Sequence, residues 1–192
     1  MERVTEETTG VVRLLGAAEA PILARPFYGQ GPISPIVASL AQVPEMLEVT
    51  MPFVATVLGP SALDARTKEI VILRTSARLE CSYCVASHTV VALDSGLSLG
   101  EARALREEVP VDSEFSAAED LALLAFVDAV AGAAGPVDQQ VRSELTRLVG
   151  EPALVELTLL CGATIMLNRY CTALELPVSA AVLARLAREG LE

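Results

Sequence analysis

The residues able to do chemistry in this 192-residue chain crowd into one stretch. Cys81 and Cys84 form a C-x-x-C pair, His88 follows Cys84 by four residues, and Glu69 precedes Cys81 by twelve. His88 is the only histidine in the chain, so histidine chemistry is confined to this place. On a helix the spacings i, i+3 and i, i+4 put Cys81, Cys84 and His88 on one stripe. A C-x-x-C pair at a helix start lets two sulfurs meet as a disulfide, and the unpaired N–H groups there favour thiolate over thiol. His88, one turn on, can accept or donate a proton. Glu69, on the preceding helix, can orient His88 or pass its proton onward. Redox dithiol chemistry is the reading these residues favour.

Other chemistries compete for the same residues. A structural zinc site needs four ligands, and Cys81, Cys84 and His88 supply three. Cys161 or Cys171 would have to be the fourth, because the chain holds neither a second C-x-x-C nor another histidine. Covalent haem attachment needs histidine directly after the second cysteine, where Val85 stands. Inert packing of the two cysteines, with His88 a satisfied core residue, is the third option. Cys161 and Cys171 lie in an apolar run and read as buried filler. Asn168 and Arg169 interrupt that run and read as buried hydrogen-bonding or ion-pairing groups, with Glu156 or a neighbouring subunit as partner. Met46, Met51 and Phe53 are spaced like a packing face.

Composition narrows the function classes. The net charge of −11 repels phosphates and argues against nucleic acid or an anionic membrane surface as partner. An apolar content of 52% supplies a sizeable core and argues against disorder. The uncharged run from Leu157 to Leu167 is too short to cross a bilayer. The opening MERVTEETTG lacks an apolar segment of the secretory kind, so the thiols are expected in a reducing, cytoplasmic setting.

The elements that must position these residues read as all helical. Strand signals are nearly absent, while helix punctuation recurs. A helix is expected over 4–18, an extended arm over 20–33, and a short helix over 35–42. Another runs from Pro44 to near Gly59, with a kink at Pro52. Ser61 and Asp64 resemble a capping box for a helix over 64–79, followed by one over 81–95. Ser98 with Glu101 and Ser116 with Glu119 open helices over 99–108 and 117–131. Pro136 opens a helix ending at Gly150, Pro152 opens a long one to about 174, and Pro177 precedes the last. Residues 1–33 thus form an N-terminal helix and arm on a helical body over 34–192, in one domain. The arm has little prospect of a private core, so Pro26, Phe27 and Tyr28 are expected at a subunit contact.

Glu69–Cys84 can also be laid over Glu156–Cys171 at a constant offset of 87, with Glu69/Glu156, Leu73/Leu160, Tyr83/Tyr170 and Cys84/Cys171 identical. Chance matching of two amphipathic helices competes with a fold of two similar helical halves.

The stretch from about 34 to 177 resembles the carboxymuconolactone decarboxylase superfamily. The segments carrying the likeness are LDARTKEIVILRTSARLECSYCVASHTVVAL and LVELTLLCGATIMLNRYCTALELP. The C-x-x-C-x3-His pattern is similar to the alkylhydroperoxidase D (AhpD)-like peroxidase branch. The resemblance implies an all-α AhpD-like helical bundle, a homo-oligomer (trimer or hexamer), and reduction of hydroperoxides by thiols without a bound cofactor or metal. An external dithiol, from a protein or of lipoyl type, would regenerate the thiols. Residue by residue, it implies that Cys84 is the peroxidatic cysteine, Cys81 the resolving one, and Glu69 and His88 the proton relay. Tyr83 stands where some members carry histidine. Cys84 lies one turn from His88, whereas helix-end logic alone favours Cys81 as the more acidic thiol. Cys84 is taken as the attacker because cleaving the peroxide bond also needs a proton for the leaving alkoxide. The external dithiol is then expected to attack Cys81 as the more exposed sulfur. A dithiol–disulfide reductase, a redox-sensing or metal-binding module, and a decarboxylase acting on small lactones are the alternatives. The missing cysteine pair in true decarboxylases disfavours the last.

Overall fold

The structure, a computed structural model, describes residues 11–132 and 135–191. Among these residues every regular element is helical. The α-helices are α1 (Pro35–Leu40), α2 (Pro44–Leu58), α3 (Ala65–Arg78), α4 (Ser82–Asp94), α5 (Leu99–Leu105), α6 (Ala118–Gly132), α7 (Gln139–Val149), α8 (Glu151–Ala173) and α9 (Ala180–Glu189).

The centre of the fold is α3. Every residue from Lys68 to Ser76 is buried, the signature of a helix packed on all sides. It contacts α4, α5, α6 and α8, and Ile70, Val71, Ile72 and Leu73 anchor the largest apolar cluster, with Leu157, Leu160 and Cys161 of α8. A helix so enclosed must satisfy its charges internally. Lys68 donates from Nζ to the carbonyl oxygens of Val57 (3.0 Å) and Gly59 (2.6 Å) and pairs with Glu156 of α8 at 3.2 Å. Arg74 grips Asp128 of α6 through two bonds of 2.6 and 2.8 Å.

Local signals explain most of the boundaries. Pro44 sits in the first turn of α2 and Gly59 caps its end, as expected. Ser98 and Glu101 form the full capping box at α5. The cap of α3 is Asp64 itself, accepting from the Thr67 N–H at 2.7 Å; Ser61 instead hydrogen-bonds Glu156. Asp138, not Pro136, opens α7 by accepting from the Gln140 N–H, because a side-chain oxygen satisfies an N–H that proline cannot. α8 is longer than its uncharged run, and its 23 residues are long and apolar enough to cross a membrane by length and composition alone. In the fold its inner face packs against α3.

The N-terminal region departs most from expectation. Residues 4–10 of the expected first helix lie outside the described part, and 11–18 hold turns and bends rather than a helix. The arm is a 3₁₀ helix over Ile22–Phe27. It has its own small core: Leu15, Ala20 and Ala24 meet Val37, Ala41 and Leu47, with Phe27, Tyr28 and Met51 against them. The Tyr28 hydroxyl donates to the Leu15 carbonyl oxygen at 2.9 Å. Small alanines let the tight helix approach α1 and α2 closely, which a count of Pro and Gly does not reveal. Met46 and Phe53 face outward instead of packing.

The two echoing segments do not form two similar halves. The first breaks after Arg78 and starts α4, whereas the second continues unbroken through α8 to Ala173.

The contrast at the start of α3 is testable by thermal or denaturant unfolding. Asp64→Ala is expected to cost about 1 kcal/mol, the usual loss for an N-cap. Ser61→Ala, at an exposed position, should stay within about 0.5 kcal/mol.

Candidate functional site

A helix-ending turn builds the site. At the end of α3, the Glu80 N–H donates to the Ala77 carbonyl (3.0 Å) and the Cys81 N–H to the Ser76 carbonyl (3.1 Å). Glu80 occupies the left-handed region at φ 53°. This pair of bonds is a Schellman termination. It reverses the chain so that α4 packs back along α3, and it leaves Cys81 as the N-cap of α4.

The reversal brings Glu69 to His88. Glu69 Oε2 lies 2.9 Å from His88 Nδ1, with Glu69 buried and His88 partly buried. An ionised carboxylate only accepts, so Nδ1 carries the proton and Nε2 is left to take up or release another. Arg66, one turn before Glu69, turns instead to Glu101 (2.5 Å) and Asp120 (3.0 Å).

Cys81 and Cys84 are reduced and buried, at 1% and 5% exposure. Cys81 is therefore not an exposed sulfur, contrary to expectation, and shares its buried cluster with Cys171 and Leu174 at the end of α8. The third member of the cluster is Cys171, 1% exposed. It joins Cys81, Cys84 and Leu176, with Leu14, Ile36, Tyr83, Tyr170 and Leu174 around them. Hydrogen bonds from Cys171 and Cys84, and one from the Thr172 hydroxyl, hold the Cys81 thiol well below its ordinary pKa. The same sulfur contacts and burial hold Cys84 well above it. Cys171 is pushed up to about 12, first by its bond to Cys81. Of the three sulfurs, Cys81 is the one shifted toward the thiolate, and it stands at the N-terminus of α4, where unpaired N–H groups favour negative charge.

Cys161 is fully buried against Thr75 of α3 and raised to about 12 by desolvation; Cys171 is as buried, but its neighbours include the C-x-x-C cysteines. The match of Tyr170–Cys171 to Tyr83–Cys84 is the sequence signal pointing to Cys171. Tyr83 hydrogen-bonds Ser34, and burial first, then the sulfurs, keeps its phenol protonated. Tyr170 donates to Ser39, whose own proton goes to the Ile36 carbonyl. Asn168 is buried and donates to the Thr164 carbonyl at 2.7 Å, and Arg169 is exposed; neither pairs with Glu156. Among the described residues, no group of three or more His, Cys, Asp or Glu side chains is arranged to hold a metal ion. An apolar cavity of about 480 Å³ between α4 and α9 borders Ser82, Val85 and Ala86, on the face of α4 beside the thiols.

The helical architecture defines an AhpD-like all-α fold. A structure from Ralstonia eutropha JMP134, described as an alkylhydroperoxidase AhpD core and uncharacterized peroxidase-related protein, superimposes with a TM-score of 0.79 at 15% identity, covering 90% of this chain and 94% of that one. A putative antioxidant defence protein AhpD of unknown function from Agrobacterium tumefaciens gives 0.66 at 24% identity, over 73% of this chain and 95% of that one. The debrominase Bmp8, as a cysteine-to-alanine variant with 2,3,4-tribromopyrrole, gives 0.77 at 21% identity, over 95% and 97%. No curated protein matches the chain by sequence. Residues 44–133 match the carboxymuconolactone decarboxylase family, and Glu69, Cys81, Cys84 and His88 lie inside the matched segment.

The resting charge gives a pH test. Cys81 is lowered in the folded state, so its thiolate persists as pH falls below the ordinary thiol range. The stability it contributes is full above that range and is lost as pH falls toward the lowered value. Ultraviolet thiolate absorbance of the folded protein should retain about one thiolate per chain at pH ~6, and Cys81→Ser should remove it.

Proposed function

We propose that this protein is a thiol-dependent peroxidase in which Cys84 attacks a hydroperoxide, Cys81 resolves, and His88 with Glu69 moves the proton. The observation that carries this reading is the Glu69–His88 hydrogen bond, with His88 one helical turn beyond Cys84. Cys84 is held protonated at rest, so its attack needs a base. His88 Nε2 takes that proton, and Glu69 stabilises the imidazolium that results. The Cys84 thiolate attacks one peroxide oxygen and the O–O bond breaks. The alkoxide leaves as alcohol with the proton from His88, and Cys84 becomes a sulfenic acid. Cys81, already a thiolate, attacks the Cys84 sulfur and expels hydroxide, which leaves as water once protonated. An external dithiol reduces the disulfide by exchange and departs oxidised.

Burial supports a small oxidant. Sulfurs at 1% and 5% exposure admit a hydroperoxide more readily than a folded protein disulfide. The reductant reaches the site by displacing part of the Leu14, Ile36 and Leu174 cover, which favours a slender lipoyl-type dithiol. A homo-oligomer belongs to the same proposal. Val155 and Leu159 of α8 and Met46 and Val49 of α2 are at least half exposed, an apolar face suited to a second copy. Light scattering should then show a trimer or hexamer.

Two sets of variants test the reading. In peroxide turnover with a dithiol, Glu69→Gln and His88→Gln should each slow the reaction roughly 10²–10⁴-fold, and the double variant should be little worse. Trapping with a dimedone-type reagent should mark Cys84 in Cys81→Ser and nothing in Cys84→Ser. Parent-like turnover by Glu69→Gln would overturn the relay, and trapping on Cys81 would exchange the two cysteines' roles.

A further inference from the structure

Cys171 lies outside the segment matched to the family, yet it shares one buried cluster with both members of the C-x-x-C pair. Three geometric facts make it more than packing. All three sulfurs belong to one buried cluster. Cys81, which contacts both others, sits at the non-helical N-cap position, with φ −85° and ψ 94°, where its side chain is free of the packing between helical turns. Cys171 lies in the last turn of α8, three residues before the C-cap Leu174, beside a further Schellman turn with Glu175 at φ 50°. Both cysteines therefore stand at helix ends, where small backbone adjustments are least costly.

We propose that Cys171 is a third redox-active thiol that exchanges with the Cys81–Cys84 disulfide and takes Cys81 as its partner. The step conserves electrons. The Cys171 thiol attacks the Cys81 sulfur and gives up its proton, the Cys81–Cys84 bond breaks, a Cys81–Cys171 bond forms, and the departing Cys84 sulfur takes that proton and ends as a thiol. The oxidising equivalent is thereby stored away from Cys84, and the attacking sulfur is restored before any external dithiol arrives. The proposal rests on the peroxidase reading only for its purpose; the exchange itself follows from the three sulfurs.

The test separates the two. Cys84→Ser is oxidised with diamide, a diazene that removes two thiol hydrogens, and mapped by peptide mass under non-reducing conditions. The expected product is an intramolecular Cys81–Cys171 disulfide with two thiols lost per chain. Cys81 and Cys171 both remaining reduced, or linking only between chains, would overturn the proposal. In parallel, the chain and its Cys171→Ala variant receive one equivalent and then a second of hydroperoxide without reductant. The parent should consume the second equivalent at Cys84, and Cys171→Ala should stop after the first. Where both proteins consume the first equivalent, equal consumption of the second also overturns the proposal. If neither protein reduces hydroperoxide while diamide still forms Cys81–Cys171, the peroxidase reading fails and the exchange stands. Cys171→Ser provides the same comparison should alanine unfold the chain.

Discussion

Glu69 sits on a helix with no solvent-facing side from Lys68 to Ser76, and its carboxylate must find a partner inside the protein. An isolated buried carboxylate is strongly disfavoured. The partner is His88 at 2.9 Å, and that hydrogen bond depends on α4 lying along α3. The Schellman turn at Leu79–Cys81 makes the helices antiparallel neighbours, and the same turn places Cys81 at the head of α4. One local event thus aligns Glu69 with His88 and places Cys81 at the N-terminus of α4. Glu80 adopts the left-handed conformation there without being glycine, at a cost of roughly 1–2 kcal/mol, which the enclosure of α3 offsets.

The other charges of α3 follow the same constraint. Lys68 is held by two carbonyl oxygens and Glu156, and Arg74 by Asp128. These pairs tie α3 to α2, α6 and α8, so the platform under Glu69 is braced on several sides. Buried ion pairs contribute less to net stability than to fixing one arrangement, and a fixed arrangement is what a proton relay needs.

Much of this was legible in the sequence because helical punctuation is local. Pro44, Ser98 with Glu101, Gly59 and Pro152 mark their helices from neighbours within a turn. A pairing of Glu69 with His88 requires their two helices to pack side by side, and in the structure they do. What the sequence hid depends on distant contacts. The 3₁₀ arm gains its core from α1 and α2, which no local pattern announces. Cys81 is buried rather than exposed because the end of α8 lies beside it. Cys171 read as filler since, ninety residues from Cys81, nothing local separates an apolar cysteine that packs from one that meets two other thiols.

The central claim is that a buried dithiol with an adjacent carboxylate–imidazole pair reduces hydroperoxides. Its most direct test is a single-turnover count on the fully reduced protein. One equivalent of an alkyl hydroperoxide is added without reductant, and free thiols and alcohol product are measured together. The account predicts two thiols lost and one alcohol formed per chain, within the mixing time of a rapid-quench experiment. Intact hydroperoxide with all four thiols still free would contradict it.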